Sequence, residues 1–328
     1  MQIQNVFKVL LIHPYITTND PNTSLTEPLG LLSLATYLEC FLANEVNVRI
    51  LDLFALGYEQ CIKKGEMYVK GISQKGKILK YVEDYQPNII GITCNFTAYA
   101  EDSYEIAKLV KEFYNKTIIV MGGAHATMEA EDILKKYNYI DYIVRGEGEL
   151  IFSELVNTIK NNTGVENIKG ITYKSVNGRL VSNPDRELIE NLNLLPMMER
   201  KFIDMGLYKK INSDALSFAK KTPVVSIMTS RGCPYNCIFC STKIMWKRNW
   251  RPRNPENVIK EMLLLYTKYK ARKFMFQDNC FTSIKENLIR ICELIIREKM
   301  RIEWDCVSYE RLNNLTDETL PLMYKAGC

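Results

Sequence analysis

The segment RGCPYNCIFC, Arg231 to Cys240, carries three thiols, Cys233, Cys237 and Cys240, separated by three residues and then two. A structural zinc site and a ferredoxin-type cluster each take four protein ligands. Three thiolates on a four-iron cubane leave one iron open, and an open metal position marks a catalytic site rather than a structural one. That iron can take a chelating substrate. Short spacing within one loop lets the sulfurs converge, and Gly232 and Pro234 suit the tight, irregular backbone required. A zinc site completed by a distant residue is the other reading. With only two histidines in the chain, the iron–sulfur reading is preferred.

The elements that must position this loop follow a strand–helix rhythm. TPVVSIMTS is a predicted strand ending at the cysteines, and a helix is expected from Pro255 to Tyr269 with proline in its first turn. KFMFQDN is the next strand, KENLIRICELIIREK the next helix, IEWDCVSY a third strand, and DETLPLMYKAG begins another helix. Three such units are too few to close a barrel of eight. Upstream, FKVLLIHP, VNVRILDL, NIIGITCNF, TIIVMGGAHAT and YIDYIVRGEGEL read as strands rich in Val and Ile. LGLLSLATYLECFLA, AEDSYEIAKLVKEFY, AEDILKKY and ELIFSELVNTI read as the intervening helices. This alternation implies an α/β fold, a doubly wound parallel sheet of Rossmann-like type over residues 1–160. Its ligand edge would comprise the loops after His13, Cys94, Gly122 and Arg145. Residues 161–222 read as a linker with a hairpin in GITYKSVNGRLVSNP, and residues 223–328 as the second domain.

At 328 residues the chain suits two domains, and 47% hydrophobic with 25% charged residues is ordinary for a globular protein. The net charge of +5 fits an anionic small molecule or a modest nucleic-acid contact and demands neither. No apolar run is long enough to span a bilayer, and the start, MQIQNVFKVLLIHPY, is wrongly flanked for a signal peptide. A cytoplasmic location is expected. In that compartment ten cysteines are not a disulfide framework. Cys40, Cys61, Cys94, Cys280, Cys292, Cys306 and Cys328 lie singly and are expected mostly in the core.

The cysteine loop resembles the radical S-adenosylmethionine (radical SAM) superfamily, whose C-x3-C-x2-C signature follows the first strand of a partial (β/α) barrel. There the open iron binds the amino and carboxylate groups of S-adenosylmethionine. One electron from the reduced [4Fe-4S] cluster then yields a 5′-deoxyadenosyl radical. The resemblance implies that Cys233, Cys237 and Cys240 ligate the cluster and that Phe239 lies against the adenine, where a flat ring offers stacking area. It nominates Asp278, in QDNCFT, to hold the methionine amino group, and more weakly Ser308 and Glu310 at the end of the third strand. For Asp278 the structural alternative is a loop acid or helix cap. The run KIMWKRNWRPR reads as a solvated basic face rather than a nucleic-acid patch, with Arg251 and Arg253 able to reach a phosphate.

The first half resembles the cobalamin-binding domain that precedes the barrel in one large class of these enzymes. The matching pieces are EPLGLLSLATYL, GITCNFTAYA, MGGAHAT and DYIVRGEGE. The resemblance implies that Thr93, Asn95 and Thr97 line one strand end, and Gly122, Gly123, His125 and Thr127 the next. Gly146 and Glu147 of RGEGE would complete the edge, where glycines admit a flat macrocycle or a nucleotide tail. The D-x-H-x-x-G motif that ligates cobalt from below is missing. His13 and His125 lack that setting, so cobalamin is expected with no histidine below the cobalt.

The resemblance therefore implies a radical SAM enzyme, a cobalamin-dependent methyltransferase acting on an unactivated carbon or phosphorus centre of a small-molecule substrate. The cofactors would be a [4Fe-4S] cluster, S-adenosyl-L-methionine and cobalamin, with an electron donor such as flavodoxin or ferredoxin. No membrane partner is expected, nor nucleic acid. The alternatives are a radical SAM cyclase or oxidase, a tRNA methylthiotransferase-like enzyme, a non-catalytic cobalamin or Fe–S binding protein, and an inactive fragment. Ending at AGC, the radical SAM core reads as truncated at its C-terminus, the first half of the barrel.

Overall fold

The computed structural model describes residues 6–328 except 24–25, 216–221 and 308–309. The chain divides into two compact units. The first gathers Met1–Thr23, Gly30–Leu188 and Met198–Ile203. The second gathers Ser24–Leu29, Ile189–Met197 and Asp204–Cys328.

In the first unit the strands are β1 (Phe7–His13), β2 (Ile16–Thr18), β3 (Val46–Asp52), β4 (Cys61–Lys64), β5 (Met67–Lys70) and β6 (Ile89–Thr93). They continue as β7 (Ile118–Gly122), β8 (Tyr142–Val144), β9 (Ile171–Lys174) and β10 (Leu180–Ser182). The helices are α1 (Leu29–Phe41, its first residue counted with the second unit), α2 (Leu53–Leu56), α3 (Lys75–Tyr85) and α4 (Ala100–Phe113). After them come α5 (Ala124–Met128), α6 (Ala130–Lys136) and α7 (Gly148–Lys160). Five strands run parallel in the order β3-β1-β6-β7-β8, and β9 and β10 extend the sheet antiparallel beyond β8. The order reverses between β1 and β6, so their carboxyl ends open the crevice where such sheets take ligands.

Pleating sorts the side chains. Leu10, Ile12, Leu51, Ile90, Ile92, Met121 and Ile143 pack on one face with Ile106, Ala107 and Val110 of α4. Val9, Leu11, Val48, Val120 and Val144 pack on the other with Leu31, Ala35 and Leu38 of α1 and Phe152, Leu155 and Val156 of α7. The predicted doubly wound sheet is present, and the predicted hairpin becomes its antiparallel edge. A second, three-stranded antiparallel sheet in the order β2-β5-β4 was not foreseen. Its strands are too short to show a period, and CIKK is exposed throughout.

The second unit contains α8 (Met205–Ala215), β11 (Val224–Ile227), β12 (Ser230–Arg231), α9 (Thr242–Trp246) and β13 (Arg251–Pro252). It goes on with α10 (Pro255–Lys268), β14 (Lys273–Phe276), α11 (Lys285–Arg297), β15 (Glu303–Cys306) and α12 (Thr319–Lys325). β11, β14 and β15 form a parallel sheet in that order. Trp304 anchors its core, stacked on Phe276 with ring centres 5.1 Å apart and donating Nε1–H to the Ala326 carbonyl at 3.1 Å. Helix α8 lies where the sequence reads as linker. Gly206 and Asn212 weaken its helical signal, yet Met205, Tyr208 and Ile211 share a buried stripe. All ten cysteines are free. Of the seven scattered ones, Cys94, Cys280 and Cys292 are buried as expected, whereas Cys40, Cys61 and Cys328 are exposed.

Candidate functional site

The cysteine loop leaves the carboxyl end of β11, and the β12–β13 ladder, pairing Arg231 with Arg251, closes its base. Cys233 and Cys240 are half-buried and Cys237 is exposed. The Cys240 amide donates to the Cys237 carbonyl at 3.2 Å, tightening the second half of the motif. Burial pushes the Cys233 thiol above its ordinary range, and the neighbouring Cys240, Cys237 and Glu310 push the same way. The three thiols are therefore within electrostatic reach of one another. Ile238 and Phe239 stand almost wholly exposed beside them, 91% and 89%. Among the described residues no three His, Cys, Asp or Glu side chains converge on a single metal ion. Three free thiols on one loop supply three of the four ligands that a four-iron cluster takes.

The residues behind the loop differ from expectation. Asp278 is 1% exposed, and its carboxylate accepts from the amides and hydroxyls of both Thr229 and Ser230. Burial raises its carboxyl pKa to about 6 despite those bonds, which pull the other way. Glu310, expected at the mouth, accepts from the Phe281 amide at 2.9 Å and from the Thr282 amide and hydroxyl at 3.1 and 2.6 Å. Ser308 lies outside the described residues. Arg251 and Arg253 do not reach outward for a phosphate. Arg251 is buried and donates to the Ile189 carbonyl. Arg253 donates to the Met228 carbonyl at 2.8 Å and pairs with the buried Glu261 at 2.7 Å. Sequence reasoning also missed Glu27, whose buried carboxylate accepts from the Ser226 amide of β11 with both oxygens at 3.2 Å. It missed Tyr235 too, whose hydroxyl donates to Asn314 Oδ1 at 2.7 Å. Only their tertiary partners distinguish these groups, and no local pattern announces them.

In the first unit the crevice edge is built from turns. Thr93 ends β6 and receives the Ser103 hydroxyl on its carbonyl at 3.1 Å. Asn95 and Thr97 are exposed on the following loop, with the bare Phe96 between them, 61% exposed. That ring is the residue the sequence pattern failed to single out. Gly122 ends β7, and Gly123 follows at φ 110°. Thr127 donates to the Gly123 carbonyl at 2.8 Å and accepts from the Gly146 amide at 3.0 Å, so it joins the two glycine turns. Gly146 sits at φ 78° with open space where a Cβ would point, and Glu147 is buried at the start of α7. The expected contact at His125 turns inward. His125 is 6% exposed, with Nδ1 bonded to the Thr97 hydroxyl at 3.0 Å and Nε2 to the Tyr104 hydroxyl at 2.8 Å. Both ring nitrogens are engaged within the unit. His13 pairs with Asp52 at 3.2 Å, and the same Asp52 oxygen caps α2.

Burial holds the His125 pKa below its ordinary 6.5. The neutral ring's contribution is therefore complete above pH 6.5 and is lost as the pH falls below it, because the unfolded chain then takes up a proton that the fold refuses. Urea unfolding between about pH 7.5 and 5.5 should show a steeper loss of stability for the native chain than for His125→Gln. Parallel losses would mean that His125 titrates normally.

Residues 23–156 match the B12 binding domain family. The chain is 32% identical to an uncharacterised methyltransferase of Pyrococcus horikoshii over 98% of its own length and 64% of that protein's. It is 29% identical to an anaerobic magnesium-protoporphyrin IX monomethyl ester cyclase of Rubrivivax gelatinosus, covering 76% of this chain and 44% of the relative. The radical S-adenosylmethionine methyltransferase TsrM from Kitasatospora setae shares its fold, with a TM-score of 0.75 at 20% identity over 98% of this chain and 58% of that one. A parallel-sheet domain with a B12-binding signature, followed by a strand–helix unit bearing three loop cysteines, defines a cobalamin-binding radical SAM protein. The B12 binding domain match and these likenesses support that family for this chain. It spans under two thirds of the length of these relatives.

Proposed function

We propose that this chain carries the cofactor-binding machinery of a cobalamin-dependent radical SAM methyltransferase. The observation that supports this most is the loop itself: three free thiols within electrostatic reach, at the carboxyl end of the first strand of a parallel sheet, beside an exposed aromatic ring. Cys233, Cys237 and Cys240 would hold the cluster, and Phe239 would cover the adenine of S-adenosylmethionine. Thr93, Asn95, Phe96, Gly123 and Gly146 would form the rim against cobalamin, with Thr127 fixing the two glycine turns. When bound, the cluster supplies one-electron reduction and cobalamin a transferable methyl group. The protein binds, orients and excludes water. An electron donor of flavodoxin or ferredoxin type and a small-molecule substrate complete the reaction, in the reducing cytoplasm that ten free thiols suit. No helix among the described residues is long and apolar enough to cross a membrane. Ring closure is the second reading, favoured by the cyclase relative.

Electron paramagnetic resonance of anaerobically reconstituted, reduced protein tests the proposal, with and without S-adenosylmethionine. The expected result is a reduced four-iron signal that changes shape on addition. A missing four-iron signal, or one indifferent to S-adenosylmethionine, would overturn it.

A further inference from the structure

We propose that Asp278 is a positioning residue that clamps the cysteine loop by its backbone, rather than a group that touches S-adenosylmethionine; this rests on the cluster reading above. The register of β11 against β14 pairs Ile227 with Phe276. Residues two or three places beyond each strand therefore face one another. Asp278 meets the turn at Thr229 and Ser230, three residues ahead of Cys233. Its carboxylate accepts four donors there: the Thr229 amide and hydroxyl at 3.0 Å, the Ser230 hydroxyl at 2.6 Å and the Ser230 amide. All four donors reach Oδ1, and the Thr229 amide is shared with Oδ2 at 3.2 Å, so the carboxylate is turned onto the loop backbone rather than toward a ligand ammonium. At 1% exposure it also lacks an open path to one.

The neighbours of Asp278 continue the clamp. Asn279 Oδ1 accepts from the Gly232 amide at 3.2 Å. The Cys280 carbonyl accepts Trp250 Nε1–H at 3.2 Å, at the far end of the loop. The run Asp278-Asn279-Cys280 thus holds both ends of the segment that carries the thiols. Thiolates that must meet a rigid cubane gain from a backbone fixed before the iron arrives, since little ordering is left to accompany binding.

The test uses Asp278→Asn, of equal size but with an NH2 group turned toward donors, together with Thr229→Val and Ser230→Ala, which each remove one hydroxyl. Hydrogen exchange of the metal-free protein comes first. Exchange over residues 229–240 should rise about tenfold in Asp278→Asn and less in the hydroxyl variants, as expected for loss of charge-assisted bonds, with β6 and β7 unchanged. After reconstitution, Asp278→Asn should bind less iron, and its reduced signal should differ from that of the native protein before any S-adenosylmethionine is added. Native exchange, native iron content and loss only of the response to S-adenosylmethionine would overturn the proposal in favour of direct contact. Altered exchange in a protein whose native form takes up no four-iron cluster would sink the cluster reading and leave the clamp standing. If Asp278→Asn does not fold, the two hydroxyl variants carry the same comparison.

Discussion

Gly232→Ala should leave the cysteine loop unable to hold iron. Gly232 sits at φ 88°, and a Cβ placed there overlaps the Asn249 carbonyl oxygen and lies 3.2 Å from the Trp246 Cβ. Neither neighbour is free to yield. The Asn249 amide is bonded to the Trp246 carbonyl at 2.8 Å, the Arg231–Arg251 ladder fixes the base, and the Gly232 amide is held by Asn279. A left-handed alanine costs about 1–2 kcal/mol. Overpacking against backbone adds roughly 1–3 kcal/mol. A short exposed loop has less local stability than that to lose. The iron content of reconstituted protein should fall from about four per chain to below one. The unfolding midpoint should fall by less than that strain implies, because the loop beyond Tyr235 is exposed and can open locally while Ser230 to Gly232 stay buried. Full iron content in Gly232→Ala would show that the loop reshapes freely and that its backbone does not preset the thiols.

In the first unit the largest effect is expected at Gly123. A Cβ there would lie 2.5 Å from Asn95 Oδ1 and 2.7 Å from the Cys94 carbonyl oxygen, at φ 110°. Gly123→Ala should destabilise this unit by about 3 kcal/mol, conformational strain and overlap combined. Cobalamin affinity should fall more than about tenfold, because the displaced Asn95 and the turn after β7 both border the crevice. Two neighbouring glycines provide the contrast. At Gly122 a Cβ would meet the Val144 carbonyl oxygen at an ordinary 3.6 Å, so Gly122→Ala should cost under about 1 kcal/mol. Gly146 has open space but a φ of 78°, so Gly146→Ala should cost about 1–2 kcal/mol from conformation alone. Denaturant titration of the three variants checks the ranking, and corrinoid titration checks the affinity. Equal losses at all three positions would mean that close approach of the backbone does not govern this edge.

Much of the architecture is legible in the residues because it depends on short-range regularity. FKVLLIH and IIGIT announce buried parallel strands by unbroken aliphatic runs, and AEDSYEIAKLVKEF announces its helix by an apolar stripe. The cysteine loop is legible for the same reason: three ligand-type residues lie within eight positions, and the strand before them is self-evident. Helix α8 and the β2-β5-β4 sheet were not legible, since their weak or exposed segments gain order only from what they pack on.

The roles of the polar residues were decided by tertiary structure. Asp278 is an acid at a strand end in sequence, and a ligand contact and a backbone clamp look alike there. Only the parallel register of β11 and β14 brings it to the amides of Thr229 and Ser230, 49 and 48 residues away. His125 occupies a glycine-rich loop as though facing a ligand, yet α5 turns it onto Tyr104 and Thr97. Arg253 belongs to a basic run that reads as solvated, and the buried Glu261 draws it inside. By itself the sequence determined the two parallel sheets, the glycine turns and the thiol spacing, because each is a pattern of neighbours along the chain. Which polar groups face a ligand and which hold the scaffold is set by hydrogen bonds between distant residues, whose donors and acceptors are matched only once the sheets have formed.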